Sequence, residues 1–231
     1  MGEKITTGAP FLDEYLDGGY EKDVVTTIYG PSGSGKTNVC LLCATKVAES
    51  GKKVIIIDTE GGIAVERIKQ LTPRFEEVLN NFLFFQPLNF EQQEEIFRNL
   101  KSALSGVGLI VVDSISMLYR LELGKADGIF ETNSSLARQI ATLVEIARSR
   151  SIPVLITNQV YADFQNKDKV KMVGGDLLKY GSKCLIELGK VGDKENRVFM
   201  IKKHRYLSAT KEIQFRIVNQ GFEEIGTDAF N

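Results

Sequence analysis

The sequence has no tryptophan, one histidine, three cysteines and five prolines in 231 residues. The lone histidine, His204, has no serine or cysteine motif to complete a nucleophile triad. An odd number of cysteines without a leader segment argues against a disulfide framework and for a reducing cytoplasm. Cys40 and Cys43 form a CxxC, but "NVCLLCATKVAES" is an apolar helical stretch, and a spacing of three puts both on one helix face. No second Cys/His pair at ligand spacing accompanies them, so core packing is expected rather than redox or metal chemistry. Charge of one sign is also lacking: 29 basic residues face 30 acidic ones. A dedicated duplex-DNA binder carries a strongly basic domain, so any nucleic-acid contact here must come from a local patch. No apolar run approaches the ~18 residues of a membrane span, and no membrane partner is expected.

What is present is a series of apolar, β-rich runs: "VVTTIYG" (24–30), "KVIIIDT" (53–59), "NFLFFQP" (81–87), "GLIVVDS" (108–114) and "IPVLITNQ" (152–159). Helical patterns separate them at 36–50, 62–71, 90–104 and 133–151. Strands without polar alternation, spaced by amphipathic helices, predict an α/β fold with a mostly parallel sheet covered on both faces. After residue 180 the runs "KCLIELGK", "NRVFMIKKHR" and "EIQFRIV" follow closely, split by turn-rich segments. They predict an antiparallel C-terminal extension of the same sheet, within one domain spanning 1–231. That length can bury a substantial core without disulfides or structural metal.

"YGPSGSGKTNV" satisfies G-x-x-x-x-G-K-[ST], directly after a strand and opening a helix. Its members are Gly30, Pro31, Ser32, Gly33, Ser34, Gly35, Lys36, Thr37 and Asn38. Glycines let backbone N–H groups turn inward around phosphates, at the positive end of a helix. Lys36 can reach the β- and γ-phosphates, and the Thr37 hydroxyl is a ligand for Mg²⁺, so the motif predicts nucleotide binding without naming the reaction. "GLIVVDS" delivers Asp113 at a strand's carboxyl end, as a Walker B aspartate that helps hold the metal; a lone D-S there could otherwise be a helix cap. "VIIIDTEGG" ends a buried strand in two carboxylates. Glu60 reads either as the group that orients or deprotonates an attacking water or as a loop charge, and Asp58, two residues back, as its support.

Taken together, "ITTG…LD…L.GG", "GPSGSGKT", "IDTEGG…ER", "IVVDSISMLYR", "LARQI" and "VLITNQV…GG" resemble RecA-type recombinases over essentially the whole chain. The archaeal RadA and eukaryotic strand-exchange branch is the most similar. The chain begins at "MGEKITTG", just before the ATPase core, without that branch's helix-hairpin-helix domain and Phe-x-x-Ala segment. This pattern resembles the short archaeal paralogues. The resemblance implies a RecA-like P-loop ATPase core that takes ATP with Mg²⁺ as cofactor, with Glu60 polarising the attacking water. It places Arg67 near the adenine and makes Gln159 a γ-phosphate sensor beside a DNA loop. In "KKHR" it implies that Lys202, Lys203 and Arg205 reach a neighbouring subunit's phosphates; the alternative is a solvated edge strand guarded by charge.

Two DNA loops are implied as well, one near "YRLELGKADGIFET" with Arg120 and Lys125. The other is "YADFQNKDKVKM", with Tyr161, Phe164, Lys167, Lys169 and Lys171. Lysines would neutralise phosphates while an aromatic ring stacks on a base. About three phosphate contacts on a single strand give a salt slope of only about −2, which is weak binding. The expected function is ATP-dependent, weakly hydrolytic assistance to a RadA-type recombinase on single-stranded or branched DNA. A Holliday-junction resolvase is a further implied partner, and self-association would be weak. A KaiC-like signalling ATPase and a nucleotide-gated interaction module with incidental hydrolysis remain as alternatives.

Overall fold

The structure, a computed structural model, describes residues 2–125, 128–162, 170–192, 195–208 and 212–226, and only the backbone of 162, 170 and 171. The strands are β1 (Lys4–Ile5), β2 (Tyr20–Glu21), β3 (Val25–Gly30), β4 (Lys53–Asp58), β5 (Phe82–Phe85) and β6 (Val107–Asp113). They continue with β7 (Val154–Ala162), β8 (Val170–Met172), β9 (Cys184–Lys190), β10 (Asn196–Lys203), β11 (Glu212–Val218) and β12 (Gly221–Ile225). The helices are α1 (Pro10–Tyr15), α2 (Lys36–Glu49), α3 (Val65–Leu71), α4 (Phe75–Leu79), α5 (Phe90–Asn99), α6 (Met117–Leu123), α7 (Ile129–Arg150) and α8 (Gly175–Gly181).

The main sheet runs β12-β11-β10-β9-β3-β7-β6-β4-β5, with β8 paired to β7 off this path. From β5 to β9 neighbouring strands are parallel, and from β9 to β12 they are antiparallel. The expected α/β architecture and its antiparallel extension are both present. β1 and β2 form a separate two-stranded ribbon.

The uninterrupted apolar runs have a direct cause. In β4, Val54 and Ile56 enter one core with α2 and α3, while Ile55 and Ile57 enter a second core with α5 and α7. Each of these side chains is 0% exposed, and burying one is worth about 1.5–3 kcal/mol. α7 turns Leu136, Ile140, Leu143, Ile146 and Ala147 into the second core at helical spacing. Cys40, Cys43 and Cys184 are buried free thiols in the first core, and burial pushes all three well up from the ordinary thiol range.

Chain order creates the crevice. β3 is followed in sequence by β4, yet β7 and β6 lie between them in the sheet. Connections therefore diverge at the carboxyl end of β3, the place where open α/β sheets bind ligands. Pairing register aligns the strand ends there: Gly30 lies opposite Gln159, and Asp58 opposite Asp113.

Candidate nucleotide site

The phosphate loop leaves β3 at Gly30 and enters α2 at Lys36. A Cβ on Gly30 would stand 2.1 Å from the Leu188 carbonyl oxygen, so β9 approaches too closely for any side chain. Gly35 caps α2 with φ +99°, a left-handed conformation that favours glycine. Lys36 is 9% exposed and donates to the carbonyls of Gly30 at 2.9 Å and Pro31 at 3.0 Å. Burial depresses its pKa below the ordinary lysine value, opposed by the nearby charges of Glu60 and Asp113.

Thr37 donates through Oγ1 to Asp113 Oδ2 at 2.6 Å, joining the two phosphate-site motifs. Thr157 on β7 donates to the other oxygen, Oδ1. Burial raises the Asp113 pKa, the hydroxyls of Thr157 and Thr37 oppose that rise, and Glu60 and Asp58 add to it. The Asp113–Ser114 peptide is cis. Two adjacent hard oxygen donors, one ionisable, are the donor set a Mg²⁺ ion takes beside nucleotide phosphates.

Glu60 reaches the same crevice from the end of β4. Its Oε1 accepts from Ser114 Oγ at 2.7 Å and from Gln159 Nε2 at 2.8 Å. Asp58 faces the turn behind it. Its Oδ1 accepts the backbone N–H groups of Glu60 at 3.2 Å and Gly62 at 3.4 Å, and its Oδ2 that of Ile63 at 3.2 Å. Lys36, Thr37, Glu60, Asp113 and Gln159 are thus gathered at the ends of β3, β4, β6 and β7.

Arg67 is occupied in a different way. It donates to Asn38 Oδ1 at 2.7 Å, to Gln70 Oε1 at 2.8 Å, and to the carbonyls of Val218 and Asn219, both at 3.0 Å. It therefore ties the first turn of α2 to the β11–β12 turn. Arg67→Ala is expected to cost about 1–2 kcal/mol in urea denaturation. Arg67→Lys should recover little of it, because one ammonium cannot reproduce the planar fork; full recovery would show that charge alone matters.

The remaining candidates lie elsewhere. β10 runs antiparallel to β9, so Lys203 pairs with Leu185, near the amino ends of the parallel strands. Lys203 donates to the carbonyls of Lys179 at 2.6 Å and Ser182 at 2.9 Å, capping α8. Arg205 pairs with Glu21 at 3.2 Å and Asp23 at 2.5 Å. Lys202 pairs with Glu187 at 3.4 Å.

Arg120 is exposed on α6, and Lys125 pairs with Glu122 at 2.6 Å. Tyr161 is 47% exposed on β7, whose end forms an antiparallel ladder with β8 that sets it opposite Lys171. Phe164, Lys167, Lys169 and the Lys171 side chain lie outside the described residues.

Ser114, Thr59 and Thr157 escape the sequence reading. The hydroxyls of Thr59 and Ser114 beside the acidic strand ends were visible there, but not that Ser114 meets Glu60, that Thr59 meets the Ser114 backbone, or that Thr157 of another strand meets Asp113.

The profile of the Rad51 family matches residues 3–225. The DNA repair and recombination protein RadB of Methanobrevibacter smithii is 41% identical over 225 residues, covering 94% of each chain. RadB of Methanocaldococcus jannaschii is 39% identical over 217 residues, covering 93% of this chain and 99% of the relative. A crystal structure of the RadB recombinase superposes with a TM-score of 0.82 at 35% identity, over 96% of this chain and 100% of that one. With its nucleotide motifs meeting at one crevice and these matches running nearly end to end, the chain belongs to the Rad51 family, among its RadB members.

Proposed function

We propose that this chain is a single ATPase unit that binds ATP with Mg²⁺, hydrolyses it slowly, contacts DNA and assists or regulates a RadA-type recombinase. The observation that carries the nucleotide reading is the Thr37–Asp113 hydrogen bond of 2.6 Å, with Lys36 and Glu60 in the same crevice. Backbone N–H groups of the loop from Ser32 onward cradle the phosphates, Pro31 having none to give, and Lys36 exchanges its two carbonyl acceptors for β- and γ-phosphate oxygens. Thr37 and Asp113 would hold Mg²⁺, which when bound would supply charge neutralisation for phosphoryl transfer. Glu60 orients the attacking water and takes its proton. Gln159, bonded to Glu60 and leading into the β7–β8 ladder, links the crevice to the second loop. Asn38 and Arg67 line the base side through the β11–β12 turn.

The names of the relatives, DNA repair and recombination proteins, support contact with DNA. The residues we assign to it are Arg120, Lys125, Tyr161, Phe164, Lys167, Lys169 and Lys171. A trans role for Lys202, Lys203 and Arg205 requires self-association and release of their present partners. A Holliday-junction resolvase is a second protein partner in this reading.

The test is phosphate release with and without single-stranded DNA, alone and with the cognate recombinase. Slow basal turnover stimulated by DNA or recombinase is expected, with a DNA-binding salt slope near −2. Normal turnover with no DNA affinity at low salt would favour a signalling ATPase. Long filaments and strand exchange without any partner would sink the assisting role.

A further inference from the structure

Two donors share Glu60 Oε1, and they differ in kind. Gln159 sits partly exposed where β7 leads toward the second loop. Ser114 is 0% exposed and its backbone is strapped to the end of β4. Its N–H donates to Thr59 Oγ1 at 3.0 Å, and its carbonyl accepts from the same hydroxyl at 2.7 Å. The Thr59 N–H donates to the Asp113 carbonyl at 2.8 Å. The residues that follow the two acidic strand ends, Thr59 and Ser114, are therefore bound together as one unit. That strap uses only the Ser114 backbone. The Ser114 hydroxyl is left to a single acidic partner, donating to Glu60 at 2.7 Å.

We propose that Ser114 is a positioning residue for the water-activating carboxylate. Its hydroxyl holds Glu60 Oε1 in place, so that Oε2 is presented to the attacking water; the inference rests on the hydrolytic reading of Glu60. A hydroxyl-to-carboxylate bond is charge-assisted and directional. Small misplacements of a catalytic base reduce rate steeply while leaving ground-state binding alone. In this role Ser114 acts through Glu60. Its bond and the Thr37–Asp113 bond use different atoms.

The experiment is single-turnover ATP cleavage by the full chain carrying Ser114→Ala, Glu60→Gln or both, with nucleotide affinity and the half-saturating Mg²⁺ concentration measured alongside. Ser114→Ala alone is expected to slow cleavage about tenfold with ATP affinity and Mg²⁺ requirement unchanged. In the Glu60→Gln background the same change should add less than about twofold, because the carboxylate it positions is gone. Ser114→Cys, a small side chain with a weaker donor, should fall between serine and alanine.

An equal loss in both backgrounds would overturn the proposal, as would a loss carried by weaker ATP or Mg²⁺ binding, since Ser114 would then support the fold or the metal side. Turnover indifferent to Ser114→Ala overturns it too, while leaving hydrolysis by this chain in place. A native chain that cleaves no ATP overturns both the positioning role and the hydrolytic reading.

Discussion

Glu60→Gln is expected to reduce ATP turnover by about 10²- to 10⁴-fold, the range for losing a general base, while leaving Mg²⁺·ATP binding intact. Glutamine keeps the side chain's length and an oxygen able to accept from Ser114 and Gln159, whose bonds to Glu60 measure 2.7 and 2.8 Å. It cannot take a proton from water. In the proposed function the binding contacts come from other residues: the loop amides, Lys36, Thr37 and Asp113. Ligand at about 100 times its dissociation constant stabilises a fold by roughly 2.7 kcal/mol. The nucleotide-induced rise in Tm should therefore match that of the native chain. Turnover retained within threefold would remove Glu60 from the chemistry, and a lost Tm shift would move it to the binding side. The variant also separates an ATPase from a nucleotide-gated module: if it performs every cellular role, hydrolysis is incidental.

Phe199→Ala is expected to lower stability by about 3–5 kcal/mol in urea denaturation. Phe199 is 0% exposed in the middle of β10 and meets the Tyr15 ring edge-on, with centroids 5.9 Å apart. It packs in the core that also holds Leu12 of α1, Leu41 of α2, Leu188 of β9 and Phe215 of β11. Truncation leaves a cavity walled by elements from both ends of the chain, which regular secondary structure prevents from collapsing fully. A loss of several kcal/mol is a large share of the 5–15 kcal/mol that holds a typical domain folded. The nucleotide crevice is built by other strands, so ATP affinity of the folded fraction should not change. A loss under about 1.5 kcal/mol would show that the antiparallel strands close over the gap.

Parallel strands were legible in the sequence because a strand covered on both faces is apolar at every position, as Val54 to Ile57 illustrate by alternating between two cores. Boundaries were less legible. β7 runs on to Ala162, past the apolar run, because β8 supplies a pairing partner. The lysine-rich stretch between them reads locally as loop. α7 begins at Ile129, four residues before the pattern at 133. Its first turn exposes Ile129 and Phe130 at 59% and 79%, so no amphipathic signal marks it. α1, α4, α6 and α8 are five to seven residues long, too short for a helical period to declare itself.

The sequence by itself determined the α/β class, the phosphate loop and the Asp113 strand end, since each depends on residues adjacent in the chain. A glycine-rich turn, the lysine and threonine after it, and an apolar strand ending in aspartate are local chemistry. Only the tertiary structure decided what those groups meet. Thr37 finds Asp113 across 76 residues, Glu60 finds Ser114 across 54, and Arg67 finds the β11–β12 turn across about 150. It also showed that Lys203 and Arg205 already have partners inside the chain. No local periodicity encodes such pairings. They follow from strand order and register, which the packing of two cores sets over the whole sheet.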